Sequence, residues 1–184
     1  YVQKYVNSDW VVTADSLGIT ADDYKNMYQY NVDLGSDTDG NVRALFWQAT
    51  PGCIQVRADL AEKYLGTTDP EELAKKFADY DTIVATAEEV KEASGGTCKL
   101  FSGYDELKRA LLNSRTVGFY DENDTITLDD HVTQYLELAK KMYDEELTFN
   151  TDQWSADWYA NMDGDGESSN AAIAYFGCPW FTYW

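Results

Sequence analysis

One histidine, three cysteines, three prolines and 14 basic residues are all this sequence holds of those types among 184 residues. Each shortage removes a class of function. With His131 as the single imidazole, Ser–His–Asp and Cys–His catalysis lack a base to set beside a nucleophile. His131 also follows Leu128-Asp129-Asp130 at an expected helix start, where it would face solvent. Cys53, Cys98 and Cys178 are far apart and form no C-x-x-C pair, so neither a zinc site nor a disulfide framework is spelled out. One bridge could form among them, but three buried thiols are the simpler reading, and no metal and no cofactor is expected. The basic residues face 33 acidic ones, for a net charge of −19 and a pI near 4.1. Such a chain repels a phosphate backbone, so no nucleic acid is expected as a partner. Anionic membrane surfaces are disfavoured for the same reason. No apolar run approaches the roughly 18 residues of a spanning helix. P-loop and G-x-G-x-x-G patterns are lacking too, and Gly95-Gly96 reads as a helix terminator. No initiator Met or signal peptide opens the chain, which ends abruptly after Pro179-Trp180, so the sequence reads as a piece of a longer protein.

What is present is aromatic. Six Trp, 14 Tyr and seven Phe sit in a chain that is 44% hydrophobic, enough to bury a core. Acidic disordered chains are poor in aromatics, so disorder is excluded despite the charge.

Caps and punctuation outline the elements. A helix end over 2–10 breaks at Asn7-Ser8-Asp9. Thr20 with Asp22 and Asp23 opens a short helix reaching about Tyr30. Residues 36–41 form a turn, and Val42–Trp47 reads as a strand running into Thr50-Pro51-Gly52. Helices follow over Asp59–Leu65, from the cap Asp69-Pro70-Glu71-Glu72 to about Asp79, and over Thr82–Ala93. Thr97–Phe101 is a strand, Asp105–Leu112 a helix, and Val117–Tyr120 with Ile126–Leu128 a hairpin around Asp121–Asp124. Asp129 or Asp130 caps the clearest amphipathic helix, with Val132, Tyr135, Leu136, Leu138, Ala139, Met142 and Tyr143 on its apolar face. A tryptophan-rich segment, a polar loop over 161–170 and a strand over Ala171–Phe176 complete the tally. Short strands alternating with many helices make an α/β lobe.

Two motifs are set aside on chemistry. Asn161-x-Asp163-x-Asp165-Gly166 matches the first half of a calcium loop, but Ala172 stands where the bidentate Glu belongs. A solvated turn is the better account. Paired carboxylates could hydrolyse a glycosidic bond, yet 33 acids guarantee some pairs and nothing singles one out. The tryptophans carry more information, because the apolar C–H face of a pyranose lies well on an indole ring. For any single tryptophan, burial in a core is the simpler account. Trp180 is the exception, as it stands just past a strand's carboxyl end, where α/β sheets bind ligands.

Several strings, in order, resemble extracellular solute-binding proteins of family 1, the carbohydrate-type receptors of ABC importers. Asp15-Ser16-Leu17-Gly18-Ile19-Thr20 is similar to a connector of that family. Trp47-Gln48-Ala49-Thr50-Pro51-Gly52 with Arg57-Ala58-Asp59-Leu60 resembles its hinge-crossing strand and next helix start. Asp69-Pro70-Glu71-Glu72, Gln153-Trp154-Ser155-Ala156-Asp157-Trp158 and Gly177-Cys178-Pro179-Trp180 resemble further stretches, the last being the family's GPW with Cys178 inserted.

The resemblance implies an α/β periplasmic-binding-protein-like lobe of type II, a central mixed sheet flanked by helices, cut from a two-lobe protein. Residues 1–44 would end the first lobe and its connector; 45–184 would hold a hinge strand and most of the second lobe. Trp47, Gln48 and Thr50 would lie at the hinge, with Tyr104, Ser114, Arg115, Trp154, Trp180 and Trp184 around the lobe-two wall. The implied function is binding rather than catalysis: a monomer, extracellular or periplasmic or anchored as a bacterial lipoprotein, captures a mono- or oligosaccharide between its lobes. Its closed form is then handed to the ABC transporter permease subunits. A carbohydrate-active hydrolase or lyase fragment and a surface glycan-binding adhesion module are the alternatives.

Overall fold

The computed structural model describes residues 2–183, the last of them by its backbone alone. The chain divides into two compact units, Tyr1–Pro51 and Gly52–Trp184.

The first unit holds α1 (Val2–Val6), α2 (Ala21–Tyr24) and α3 (Gln29–Leu34), with a 3-10 turn at Asp15–Leu17. Thr20 caps α2 as expected: the Asp23 carboxylate accepts its backbone N–H at 2.7 Å and its hydroxyl at 3.0 Å. The single helix expected to Tyr30 is two short ones. At the turn over 36–41, Asp37 accepts from the backbone of Asp39 and Asn41 and from Arg43 Nε at 2.6 Å. The Arg43 guanidinium holds that carboxyl down to about 2.

The strand expected over Val42–Trp47 does not form. Arg43 and Ala44 both donate their N–H groups back to Gly35 O, at 2.9 and 3.0 Å, leaving one isolated bridge, Ser36–Val42. Those amides close a turn instead of a ladder. Gly35 permits the approach, since a Cβ there would lie 2.1 Å from Ala44 O.

The second unit is built on a three-stranded mixed sheet. β1 (Cys53–Val56), β2 (Cys98–Phe101) and β3 (Ala171–Gly177) are ordered β1-β3-β2, with β3 antiparallel to β1 and parallel to β2. β3 reads as an unbroken apolar run because both its faces are covered. On one side lies the main core, drawn from α4 (Ala58–Leu65), α6 (Tyr80–Ser94), α7 (Lys108–Asn113) and α8 (Asp130–Asp144). A second, aromatic core of Trp158, Ala172, Tyr175 and Phe181 belongs to α9 (Ala156–Asp163), β3 and a 3-10 turn at Pro179–Tyr183.

Caps set most boundaries. Asp69 accepts from the N–H groups of Glu71 and Glu72, both at 3.0 Å, to open α5 (Pro70–Lys76). That helix stops short of Asp79 because Asp79 caps α6, accepting from Thr82 N at 2.8 Å. Gly95, at φ 63°, closes α6. The helix expected over Asp105–Leu112 is a 3-10 turn, Tyr104–Leu107, followed by α7.

Asp129 caps α8 and also accepts from the N–H groups of Thr116 and Val117, so its carboxyl is held far below the usual range by those bonds. His131 is partly exposed, with Nδ1 2.8 Å from Asp129 Oδ1. The expected hairpin around Asp121 shrinks to the bridge Tyr120–Ile126, since Val117, Tyr120, Ile126 and Leu128 are exposed and bury no face that would fix a ladder. In the polar loop, Asp165 spends its oxygens on the N–H groups of Glu167, Ser168 and Ser169 and on the Ser168 hydroxyl. Cys98 is fully buried, and burial pushes its thiol up to about 11, an inert core position.

Candidate functional site

The pairing of β2 with β3 ends at Phe101–Ala174, while β3 runs on to Gly177. Beyond Phe101 the chain turns away at Ser102 and Gly103, where a Cβ would lie 2.0 Å from Thr151 O. The backbone of Phe176 is therefore served by side chains. Glu106 accepts its N–H at 2.7 Å, and Gln153 Nε2 donates to its carbonyl at 2.9 Å.

The second oxygen of Glu106 accepts the Trp158 indole N–H at 2.5 Å. Glu106 is 1% exposed, and burial pushes its carboxyl up to about 7 against the downward pull of those two bonds. Burial and the nearby Glu106 charge likewise push the Tyr175 phenol up, and its hydroxyl is buried with no hydrogen-bond partner among the described residues.

Trp158 is the hub of an aromatic cluster. It meets Tyr175 and Tyr159 edge-on, with centroids 5.2 and 5.0 Å away, and Trp154 at 5.0 Å. Trp154 in turn stacks on Trp180, centroids 6.1 Å apart and planes 14° apart. Those two rings are 41% and 40% exposed, so the buried hub carries a half-open aromatic surface at the carboxyl end of β3. Trp154 sits at φ 73°, a left-handed conformation that disfavours a bulky residue by about 1 kcal/mol or more. Gln153 holds it there: its side chain is tied to Phe176 and its N–H donates to Asp105 Oδ2 at 3.2 Å. A polar cavity of about 370 Å³ adjoins, lined by Asp105, Lys108, Arg109, Leu112, Asn113 and Gln153. The other oxygen of Asp105 is buried with no hydrogen-bond partner among the described residues. An aromatic face beside planar amide, carboxylate and guanidinium groups is suited to holding a polyhydroxylated ring.

Of the residues named from sequence, the structure brings Trp154 and Trp180 into contact. Tyr104 is partly exposed at the start of the 3-10 turn that carries Asp105 and Glu106. Ser114 closes α7, its hydroxyl donating to Ala110 O at 2.8 Å. Arg115 donates to Leu112 O at 2.7 Å and lies 3.9 Å over the Phe119 ring. Trp47, Gln48 and Thr50 are exposed in the first unit, on a stretch without regular structure, Trp47 at 90%. Trp184 lies outside the described residues. Asp105, Glu106 and Gln153 were not legible as site residues. Asp105 and Glu106 read as a helix start, and their role depends on where β3 ends.

No family model matches the chain, and no curated protein matches it. Solved structures do. The chain is similar to a crystal structure of an extracellular solute-binding protein of family 1, with TM-score 0.79 and 19% identity, over all of this chain and 46% of that one. It is also similar to the ABC transporter associated binding protein from B. animalis subsp. lactis Bl-04 in complex with β-1,6-galactobiose, with TM-score 0.67 and 19% identity, over 98% of this chain and 42% of that one. The chain thus has the α/β fold of a solute-binding-protein lobe and spans less than half the length of the structures it matches.

Proposed function

We propose that this chain is part of the sugar-binding component of an ABC importer, and that the stacked Trp154–Trp180 pair is one wall of its carbohydrate site. The observation that carries the reading is that pair: two half-exposed indoles, held by a buried hub, at the carboxyl end of a central strand. The fold and the galactobiose bound by one similar protein support it.

In this reading residues 1–44 end a first lobe, and 45–184 hold a hinge segment and most of a second. A mono- or oligosaccharide stacks on Trp180 and Trp154, with hydroxyls toward Asp105, Arg109 and Gln153. Trp47, Gln48, Thr50, Tyr104, Ser114, Arg115 and Trp184 are further candidates for its contacts. The ligand makes more contacts in the closed state than in the open one and so shifts the population toward closure. The closed form, an extracellular or lipid-anchored monomer, is what permease subunits would recognise, and no turnover of the sugar takes place.

A thermal-shift screen of the full-length protein against mono- and oligosaccharides, β-1,6-galactobiose included, tests this. A ligand at a hundred times its Kd adds about 2.7 kcal/mol. A shift that is lost in Trp180→Ala, with the sugar recovered intact, supports the reading. A silent panel, or hydrolysis of the sugar, overturns it.

A further inference from the structure

We propose that Glu106 is the positioning residue of the Trp154–Trp180 pair, acting through Trp158 and the end of β3. The inference rests on the site described above, but its structural half stands without any ligand.

The geometry is specific to a carboxylate. Oε2 accepts the N–H of Phe176 and Oε1 the indole N–H of Trp158, so two donors converge on one side chain from two different elements. An amide offers one acceptor oxygen, and its NH₂ would face a donor at the other position. Neighbouring Asp105 adds a third tie, accepting the N–H of Gln153 immediately before Trp154. One 3-10 turn therefore fixes the strand end that leads to Trp180, the indole beneath Trp154, and the backbone that holds Trp154 at φ 73°.

Packing alone does not account for a carboxyl here. Glu106 is 1% exposed and takes part in none of the ion pairs among the described residues. An apolar side chain at this position would avoid the desolvation. The titratable groups coupled to it are Asp105 on its own turn and Tyr175 on β3, while Tyr135 on α8 feels Asp105 and Tyr104 instead. Lys108 and Arg109 of α7 and Asp157 and Tyr159 of α9 are on exposed surface, and His131 of α8 is paired with Asp129. Burial pushes its carboxyl up to about 7, and among the described residues no ion pair offsets the charge. When it takes up a proton, its O–H turns toward a donor and one of the two bonds is lost. The aromatic pair is then held firmly above neutral pH and loosens below it.

The test is near-UV circular dichroism of the ligand-free full-length protein from pH 5.5 to 8.5, where coupled indoles give a strong signal. The wild type should show a transition centred near pH 7. Glu106→Gln should abolish it, and His131→Gln, the control for the chain's single histidine, should leave it in place. Against a sugar found by the thermal screen, Glu106→Gln should raise Kd about tenfold at pH 8 and flatten its pH dependence. A wild-type spectrum without a transition overturns the proposal and requires no variant to fold. A wild-type transition that survives in folded Glu106→Gln overturns it equally. If the transition depends on Glu106 and no sugar binds, the positioning role stands and the carbohydrate reading fails.

Discussion

Trp154 and Trp180 lie nearly parallel, 14° between planes and 6.1 Å between centroids, and each also meets the edge of Phe181. One ring comes from the loop before α9 and the other from the turn after β3. Their contact exists because α9 folds back on β3 with Trp158 fully buried between them.

Trp180→Ala and Trp154→Ala should each weaken sugar binding by the full-length protein at least tenfold. Both rings are about 40% exposed, so the folded state should lose little. Calorimetric titration beside a thermal melt separates the two effects, and a variant that melts like wild type yet binds as tightly would remove that ring from the site.

Trp158→Ala should behave in the opposite way. It deletes the largest fully buried side chain and leaves one oxygen of Glu106 without its donor. The expected loss is about 3–5 kcal/mol, read by urea denaturation.

Folding stability should carry a Glu106 component of defined sign. Its carboxyl is raised in the folded state to about 7. The contribution is therefore full below the unfolded value near 4.5, and it is lost as pH rises through 7, on the order of 3 kcal/mol in all. Urea midpoints at pH 5 and pH 8 should converge in Glu106→Gln relative to wild type. Asp129 acts in the other sense: its folded value is depressed, so its contribution is present above about pH 4 and fades as pH falls further. Asp129→Ala should lower the thermal midpoint at pH 7 and remove part of the acid sensitivity.

The 184-residue chain by itself should bind sugar only at millimolar Kd or not measurably, about 4 kcal/mol or less. It spans under half of the similar structures, and in the proposed reading a second lobe would supply the rest of the ligand contacts. Sub-micromolar binding by the isolated chain would show that this part suffices.

Legibility followed range. Asp69 with Pro70, Gly95 after α6, and the apolar stripe of α8 are local devices, and each element formed where its cap or stripe stood. Val42–Trp47 has the composition of a strand, but its amides turn back onto Gly35 O. A strand needs a neighbouring ladder, which no run of residues supplies by itself. α9 leaves little trace in the sequence because its Ser155 cap precedes aromatics rather than a clean periodic stripe.

The sequence by itself carried the α/β alternation and marked Trp180, just past a strand's carboxyl end, as a candidate ligand contact. These follow from composition and spacing. The tertiary structure decided that Trp154 is Trp180's partner, that Glu106 and Gln153 finish the ladder where β2 stops, and that a buried carboxyl stands behind the aromatic surface. Those are contacts between residues distant along the chain, fixed by where β3 outruns its neighbour and by the donors left over at that end.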